Sequence, residues 1–216
     1  MPRILFCGDC HGEFSHIIPA GREADAIILV GDQTPSCPLP EVLGSLWPKT
    51  YFILGNHDTE LAGFLIAHRG DAWSHNLHGR IEDVCGLRLA GLGGIFRGRV
   101  WHPEEGEPRY RSRQELLEAT PPNRRFLGDI PVLHWSSIFP ADFELLRWLS
   151  PVDILITHEA PQTHRHGFQE IGDLALKVGA RWLIHGHHHE GSADAEIEGE
   201  IQVVGLGLRE TRMIEF

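Results

Sequence analysis

The sequence predicts an α/β fold in which short, buried strands alternate with helices. Three apolar runs near the start of the chain, residues 4–6, 26–30 and 51–54, each end in a glycine. Runs that are apolar throughout and bounded by glycine are typical of parallel strands buried on both faces. Segments with helical spacing, residues 13–20 and 41–46, lie between these runs. Repeated βα units predict a parallel sheet that is covered by helices on both faces.

The middle of the chain predicts a hairpin followed by a long excursion from the core. Residues 80–84 and 87–90 flank Cys85 and Gly86 and are typical of two antiparallel strands joined by a tight turn. A polar, arginine-rich stretch follows, which contains several prolines and one helical piece at residues 112–119. Because long excursions are usually functional or disordered, we predict a cap or lid at about residues 97–140.

The last third of the chain returns to the pattern of a core. We predict helices and strands at these positions: helices at residues 143–149 and 169–178, and strands at residues 153–157, 182–184, 195–197, 201–206 and 211–216. With 216 residues and no repeat of solenoid period, the chain is predicted to form a single domain, residues 1–216, that includes the cap.

Composition excludes several classes of function. The formal net charge of −11 argues against binding of long duplex nucleic acid, which needs a basic surface. No apolar run is long enough to cross a bilayer, and the start of the chain lacks the features of a signal peptide, so we expect a cytoplasmic protein. Cys7 and Cys10 match a redox C-x-x-C pattern by letter, but we interpret the four cysteines as reduced and mostly buried thiols.

Metal-binding side chains follow nearly every predicted parallel strand, and the chain has fifteen histidines. The candidate ligands are Asp9, His11, Asp32, Asn56, His158, His187 and His189. In open α/β folds the ligand site lies outside the carboxyl ends of the strands, so these side chains are expected to converge. Mixed nitrogen and oxygen ligands suit Mn, Fe or Zn better than Ca or Mg, and we favour manganese. Seven groups suffice for two ions if one carboxylate bridges, and paired ions clamp a phosphoryl group and generate a hydroxide nucleophile.

Five short blocks carry a resemblance to a known family. In order along the chain they are D-x-H at Asp9, G-D at Asp32, G-N-H-D at Asn56, a lone histidine at His158 and G-H-x-H at His187. This pattern resembles the calcineurin-like metallophosphoesterase superfamily. The resemblance implies a four-layer sandwich of two mixed β-sheets flanked by helices, which the periodicity alone does not predict.

The resemblance also implies a role for each matching residue. Asp9, His11 and His189 would hold the first metal, and Asn56, His158 and His187 the second, with Asp32 as the bridge. His57 would act beside the phosphate as a general acid or charge stabiliser, and Asp58 would orient His57. His185 and His188 are interpreted as neighbours of the ligands, with His188 pointing away. His134 is a less favoured candidate for reaching the site.

The substrate is less constrained than the metals. The arginines that protein phosphatases of this superfamily carry near the second and third blocks are missing here, and residues 88–96 and 10–12 are similar to RNA lariat debranching enzymes. We therefore predict a phosphodiesterase, and a nucleotide or an RNA is among the candidate substrates. Arg97 is predicted to bind the substrate phosphate. The alternatives are a phosphomonoesterase and a non-catalytic metal-binding scaffold. The sequence leaves open whether the other arginines of the excursion belong to a substrate-binding cap or form a solvated surface.

Overall fold

A computed structural model, which describes residues 1–191 and 194–216, contains ten strands in two mixed sheets. The strands are β1 Arg3–Cys7, β2 Ala26–Leu29, β3 Thr50–Phe52, β4 Ile81–Val84, β5 Leu87–Leu92, β6 Ile154–Thr157, β7 Trp182–His185, β8 Ala195–Ile197, β9 Ile201–Gly205 and β10 Thr211–Glu215. The α-helices are α1 Ile17–Glu23, α2 Leu39–Leu43, α3 Ala62–Ala67, α4 Arg113–Ala119, α5 Pro140–Leu149 and α6 Gln169–Val178. Short 3-10 helices complete the chain at Gly44–Lys49, His57–Thr59, Gly70–His75, Pro103–Glu105, Pro122–Arg124 and Val132–Ser136.

The parallel strands are divided between the two sheets. The first sheet has the order β10-β1-β2-β3, with β10 antiparallel to β1. The second has the order β4-β5-β6-β7-β9-β8, with β5, β6, β7 and β9 parallel and an antiparallel strand at each edge. The βα repeats predict parallel strands, and the structure divides these strands between two sheets that also have antiparallel edge strands. The two mixed sheets implied by the family resemblance are confirmed.

Alternation along β1 shows how the layers are held together. Ile4 and Phe6 pack into an apolar cluster that also contains Ile154 and Ile184 of the second sheet. Leu5 and Cys7 point to the opposite face, where they pack among helical residues in a separate apolar cluster. Because successive side chains of a strand point to opposite faces, a strand between a sheet and a helix layer is buried at every position. This burial explains why the predicted strands are apolar throughout.

Most of the predicted helices and strands are present. The ends of two helices differ from the predicted residues, and a proline and a glycine explain the differences. The predicted helix at residues 169–178 and the hairpin of β4 and β5 are confirmed. Helix α1 begins at Ile17 rather than at residue 13, so Pro19 lies in its first turn. The N–H groups of the first turn have no acceptor within the helix, so the N–H that proline lacks breaks no helical hydrogen bond there. Helix α2 ends at Leu43 because Gly44 takes a positive φ of 52°, and the chain continues as a 3-10 helix.

Residues 97–140 form short helices and turns around a small apolar cluster of their own. That cluster consists of Val100, Leu116, Ile130 and Phe139. The 3-10 helix Val132–Ser136 at the end of this segment packs against the 3-10 helix His57–Thr59, and the hydroxyls of Ser136 and Thr59 lie 2.5 Å apart. The segment therefore reaches the loop after β3, although its function as a cap stays a prediction.

Candidate metal centre

The predicted ligands lie in the loops that follow the parallel strands, and an unusual backbone turns several of them. Four of the seven have a positive φ: His11 at 43°, Asp32 at 53°, His187 at 77° and His189 at 53°. Residues other than glycine rarely adopt this region, and those that do cluster at functional sites. Since the turns follow strands of both sheets, they bring side chains distant in sequence to one end of the molecule.

These side chains form two groups that share one carboxylate. The first group contains Asp9, His11, Asp32 and His189, whose potential ligand atoms all lie within 4.8 Å of one another. In the second group, which obeys the same limit, Asp32 occurs again, together with His158 and His187. The division is the one that the family resemblance implied for two metals, with Asp32 common to both.

Interatomic distances within the groups are those of converging ligands. The Nε2 of His189 lies 3.2 Å from Oδ2 of Asp9 and 2.9 Å from Nε2 of His11. The Nε2 of His158 lies 3.3 Å from Oδ2 of Asp32 and 3.2 Å from Oδ1 of Asn56. The amide oxygen of Asn56 therefore joins the second group.

Buried polar atoms at the centre test whether a cation fits. Within the described residues, Oδ2 of Asp9, Oδ2 of Asp32 and Nδ1 of His187 are buried without an aligned hydrogen bond, and the two carboxylate oxygens face only histidine nitrogens, at 3.2 and 3.3 Å. Both aspartates are completely buried. Burying carboxylates in this way is costly unless a positive charge lies beside them, and all three atoms are of the kind that ligate divalent cations. The donor set therefore fits a pair of divalent ions.

Glycines next to the ligands leave the space that the ligands occupy. A Cβ on Gly31 would lie 2.1 Å from Nδ1 of His158, and one on Gly55 would lie 2.2 Å from Oδ1 of Asp32. Real Cβ atoms do not approach neighbours this closely, so a side chain at either position would displace a ligand. The glycines of the G-D and G-N-H-D blocks are thus required by packing across the site.

Asp32 and His158 form a buried ion pair, with Nε2 of His158 3.3 Å from Oδ2 of Asp32. Burial acts to raise the pKa of Asp32, but the charge and hydrogen bond of His158 outweigh it and hold that pKa well below its usual range. Burial acts to lower the pKa of His158, yet Asp32 raises it to about 10. The Nδ1–H of His158 donates to the carbonyl of Val30 over 2.8 Å, which directs Nε2 towards Asp32.

Asp9 differs from Asp32 because burial dominates its titration. The pKa of Asp9 is raised to about 6, mainly by burial, with His158 opposing the shift. Burial also lowers the pKa of His187 to about 3, and that of His11 below its ordinary value. The imidazoles of His11 and His187 are therefore neutral at pH 7, which is the form that binds metal.

The structure corrects the expected contact between Asp58 and His57. Asp58 is fully buried and accepts hydrogen bonds from the backbone N–H groups of Thr34 and Gly55, at 2.7 and 2.8 Å. The carboxylate that contacts Nδ1 of His57 is Glu60 instead, with Oε1 2.9 Å away. The reason is the 3-10 turn, in which side chains at i and i+3 lie over one another and adjacent ones diverge.

Arg97 lies within electrostatic reach of the centre. Its Nη2 is 3.4 Å from the hydroxyl of Ser136, and its Nε is buried without a partner among the described residues. Burial lowers the pKa of Arg97, while the carboxylates of Glu60, Asp32 and Glu159 act to raise it. His134 is buried, bonds through Nδ1 to Ser137 and belongs to neither ligand group.

A third cluster, Glu159 with His187 and His188, was not predicted. Its potential ligand atoms also lie within 4.8 Å of one another, while the ring of His188 stacks on that of His164 with the centroids 4.0 Å apart. Glu159 is buried, its Oε1 accepts from the N–H of Phe96, and burial raises its pKa to about 7. The only sequence signal for Glu159 is its position directly after His158 at a strand end. His185 is buried, as interpreted from the sequence.

Comparisons with known proteins bear on both fold and chemistry. The family model described as calcineurin-like phosphoesterase matches residues 2–191. A protein of Haemophilus influenzae described as uncharacterized is 41% identical over 192 residues, which cover 87% of this chain and 83% of that protein. Along the described residues, no helix has the length and apolar character that crossing a membrane requires.

Solved structures share the fold at low sequence identity. The protein TT1561 of Thermus thermophilus has a TM-score of 0.59 and 17% identity, over 98% of this chain and 97% of its own. The phosphopantetheinyl hydrolase PptH of Mycobacterium tuberculosis has a TM-score of 0.53 and 13% identity, over 96% of this chain and 90% of its own. At such identities the likeness shows the fold alone.

Proposed function

Because the chain belongs to the calcineurin-like phosphoesterase family, and is therefore a metal-dependent phosphoester hydrolase, we propose that it is a dinuclear phosphodiesterase. The observation that carries this proposal is the position of Asp32, which is completely buried and is shared by two groups of ligand atoms. A carboxylate held in this way is suited to bridging two cations. A single-ion site would not need the second group.

Each ion has a proposed set of protein ligands. Asp9, His11 and His189 would hold the first ion, and Asn56, His158 and His187 the second, with Asp32 common to both. We propose Mn²⁺, with Fe or Zn as the alternatives, because the sets mix imidazole nitrogen with carboxylate and amide oxygen and include no thiolate. When bound, two such ions supply an activated water and neutralise phosphoryl charge.

The neighbouring side chains would bind the substrate and supply a proton. Arg97 would hold a phosphoryl oxygen, since its guanidinium lies near the centre and its Nε has no protein partner among the described residues. His57 is partly exposed, with Nε2 4.0 Å from Oδ2 of Asp32, and would donate a proton to the leaving oxygen. Glu60, bonded to Nδ1 of His57, would fix the orientation of the ring.

Charge around Arg97 supports a diester over a monoester. Three carboxylates, those of Asp32, Glu60 and Glu159, act on this one guanidinium. Asp32 would be neutralised by the ions that it bridges, but Glu60 and Glu159 lie outside the proposed ligand sets. A phosphodiester carries one negative charge and a monoester carries up to two, so a diester would meet less repulsion from these two carboxylates. The absence of the protein-phosphatase arginines from the sequence points the same way.

Hydrolysis of bis-p-nitrophenyl phosphate and p-nitrophenyl phosphate tests the proposal. With Mn²⁺ the protein should hydrolyse both, with a higher kcat/KM for the diester, and EDTA should abolish turnover. Asp32→Asn should lose activity and metal, whereas Asp71→Asn, an exposed carboxylate outside the site, should keep both. Preference for the monoester would overturn the diesterase assignment, and no metal-dependent turnover of either ester would overturn the catalytic one.

The role of His57 has its own test. His57→Ala should retain two ions per chain, measured by elemental analysis, and lose activity by about 10²–10⁴-fold, the usual effect of a missing general acid. A His57→Ala protein that is free of metal would show that this histidine is a ligand instead.

A panel of cyclic nucleotides, linear dinucleotides and branched RNA then addresses the natural substrate. A cytoplasmic location stays a prediction.

A further inference from the structure

A large cavity lies outside the metal centre. Its volume is about 650 Å³, which is within the range of small-molecule sites. None of the seven proposed ligands lines it. The lining residues come from the loop after α3, the start of α4 and the end of the 97–140 segment, and those used below are Arg69, Trp73, Asn76, Arg80, Arg113 and Trp135. We call this space the tryptophan cavity.

Three arginines make the tryptophan cavity positive in a chain whose net charge is −11. Arg113 is bonded to Asp129 through two nitrogens, at 3.2 and 3.0 Å, and Arg80 pairs with Glu82 at 3.3 Å. The guanidinium of Arg69 forms no hydrogen bond or ion pair with any described residue. It is held instead over the ring of Trp135, with its Cζ 4.6 Å from the ring centroid. Arg69 is thus a positioned cation that contacts no carboxylate of the described residues directly, and Asp129, whose pKa its charge helps to lower, is already bonded to Arg113.

Two indole rings give the cavity an aromatic wall. The rings of Trp73 and Trp135 lie 5.7 Å apart at 77° to one another. Arg113 stacks on Trp135 with its Cζ 3.9 Å from the centroid, so this indole is covered. Trp73 is 36% exposed, and the Cζ of Arg69 lies 5.9 Å from its centroid, farther than the 4.6 Å to that of Trp135. It is therefore the less covered of the two indoles and the one offered to a planar ligand.

Polar atoms without partners point to a ligand as well. Asn76 is only 6% exposed, and its Oδ1 accepts the N–H of His78, but its Nδ2 has no hydrogen bond to a described residue. The Nε of Arg80 is buried and also lacks a partner there. A small extension of about 30 Å³, lined by Asn76 and Trp73, reaches Leu54, two residues before the proposed ligand Asn56.

We propose that the tryptophan cavity binds a small ligand that joins an anionic group to a planar ring, of the nucleoside monophosphate class. Arg69 would bind the phosphate, Trp73 would stack on the base, and the Nδ2 of Asn76 would donate a hydrogen bond. The space is far larger than inorganic phosphate requires, and the indole would be unused by a simple anion. This site is additional to the hydrolytic one and does not depend on the substrate proposed above.

Tryptophan fluorescence of the metal-loaded protein tests this proposal. The probe is the phosphonate analogue of adenosine 5′-monophosphate, which has no ester to hydrolyse, and adenosine, ribose 5-phosphate and inorganic phosphate are compared with it. We expect saturable quenching by the analogue, with at least tenfold weaker binding of the other three. The same affinity should be measured after chelation, because the metal centre is not involved.

Variants assign the binding to the cavity. Arg69→Ala should lower the affinity for the analogue at least tenfold and leave hydrolysis of bis-p-nitrophenyl phosphate unchanged. The control is Arg165→Ala, at an exposed position, which should change neither the affinity nor the hydrolysis. Trp73→Leu should abolish the preference for the analogue over ribose 5-phosphate, and circular dichroism checks the fold of each variant. Binding that disappears on chelation, is unaffected by both cavity variants or is equal for inorganic phosphate would overturn the proposal.

Discussion

His158 should carry a proton in the metal-free protein and lose it when metal binds. Asp32 raises the pKa of His158 to about 10, so at pH 7 the ring is almost fully protonated, and a value one unit lower would leave it so. A histidine binds metal only when neutral. Loading the second ion should therefore release about one proton from His158 for each chain.

Long-range ¹H–¹⁵N NMR of the imidazoles measures this proton directly. In metal-free protein at pH 7, one ring should give the signals of an imidazolium that titrates above pH 8, and this signal should vanish in His158→Gln. Calorimetric titration with Mn²⁺ in buffers of different ionisation enthalpy should show about one proton fewer released by His158→Gln than by the natural protein. A neutral His158 in the metal-free protein would refute the reasoning.

Stability of the metal-free protein should follow the same proton. The pKa of His158 is higher in the folded chain, about 10, than its ordinary value of 6.5, so its contribution is complete below pH 6.5 and is lost as pH rises towards 10. The contribution is on the order of a few kcal/mol, since each unit of pKa difference corresponds to about 1.4 kcal/mol. Urea unfolding across this range should show a decline that metal-loaded protein does not.

Two further changes test the geometry of the centre. Gly55→Ala should abolish metal binding and lower the free energy of unfolding, because its Cβ would lie 2.2 Å from the Asp32 carboxylate, whereas Gly63→Ala, with open space around it, should do neither. Metal-replete Gly55→Ala protein would contradict this packing argument. Glu60→Gln should shift the pH profile of hydrolysis by changing the partner of His57, with both ions retained. An unchanged profile would remove Glu60 from the catalytic site.

Sequence reasoning predicted side chains that the structure brings close together, because the signal is local. A glycine and a polar residue directly after a buried strand define a strand end, and parallel strands place such ends together. The grouping of ligand atoms around Asp32 agrees with the roles that the family resemblance implied. The division of the strands between two sheets is not local, because βα repeats are compatible with one sheet or with two.

The errors have a common physical origin. The pairing of His57 with Glu60 rather than Asp58 depends on a 3-10 turn three residues long, which no periodicity reveals. The tryptophan cavity is assembled from segments tens of residues apart, between Arg69 and Trp135, so its charge and its rings are scattered in the sequence. Such features become visible only when tertiary contacts are known.

The four proposed ligands with positive φ would link metal supply to the lifetime of the protein. Each such residue costs on the order of 1–3 kcal/mol in backbone strain, which the surrounding structure must offset. Ions that bind the folded chain and not the unfolded one shift the folding equilibrium towards the native state. In a cell short of metal, this strain would be offset less, more chains would unfold, and proteases would remove them faster. The amount of protein would then follow the amount of metal without any dedicated regulator.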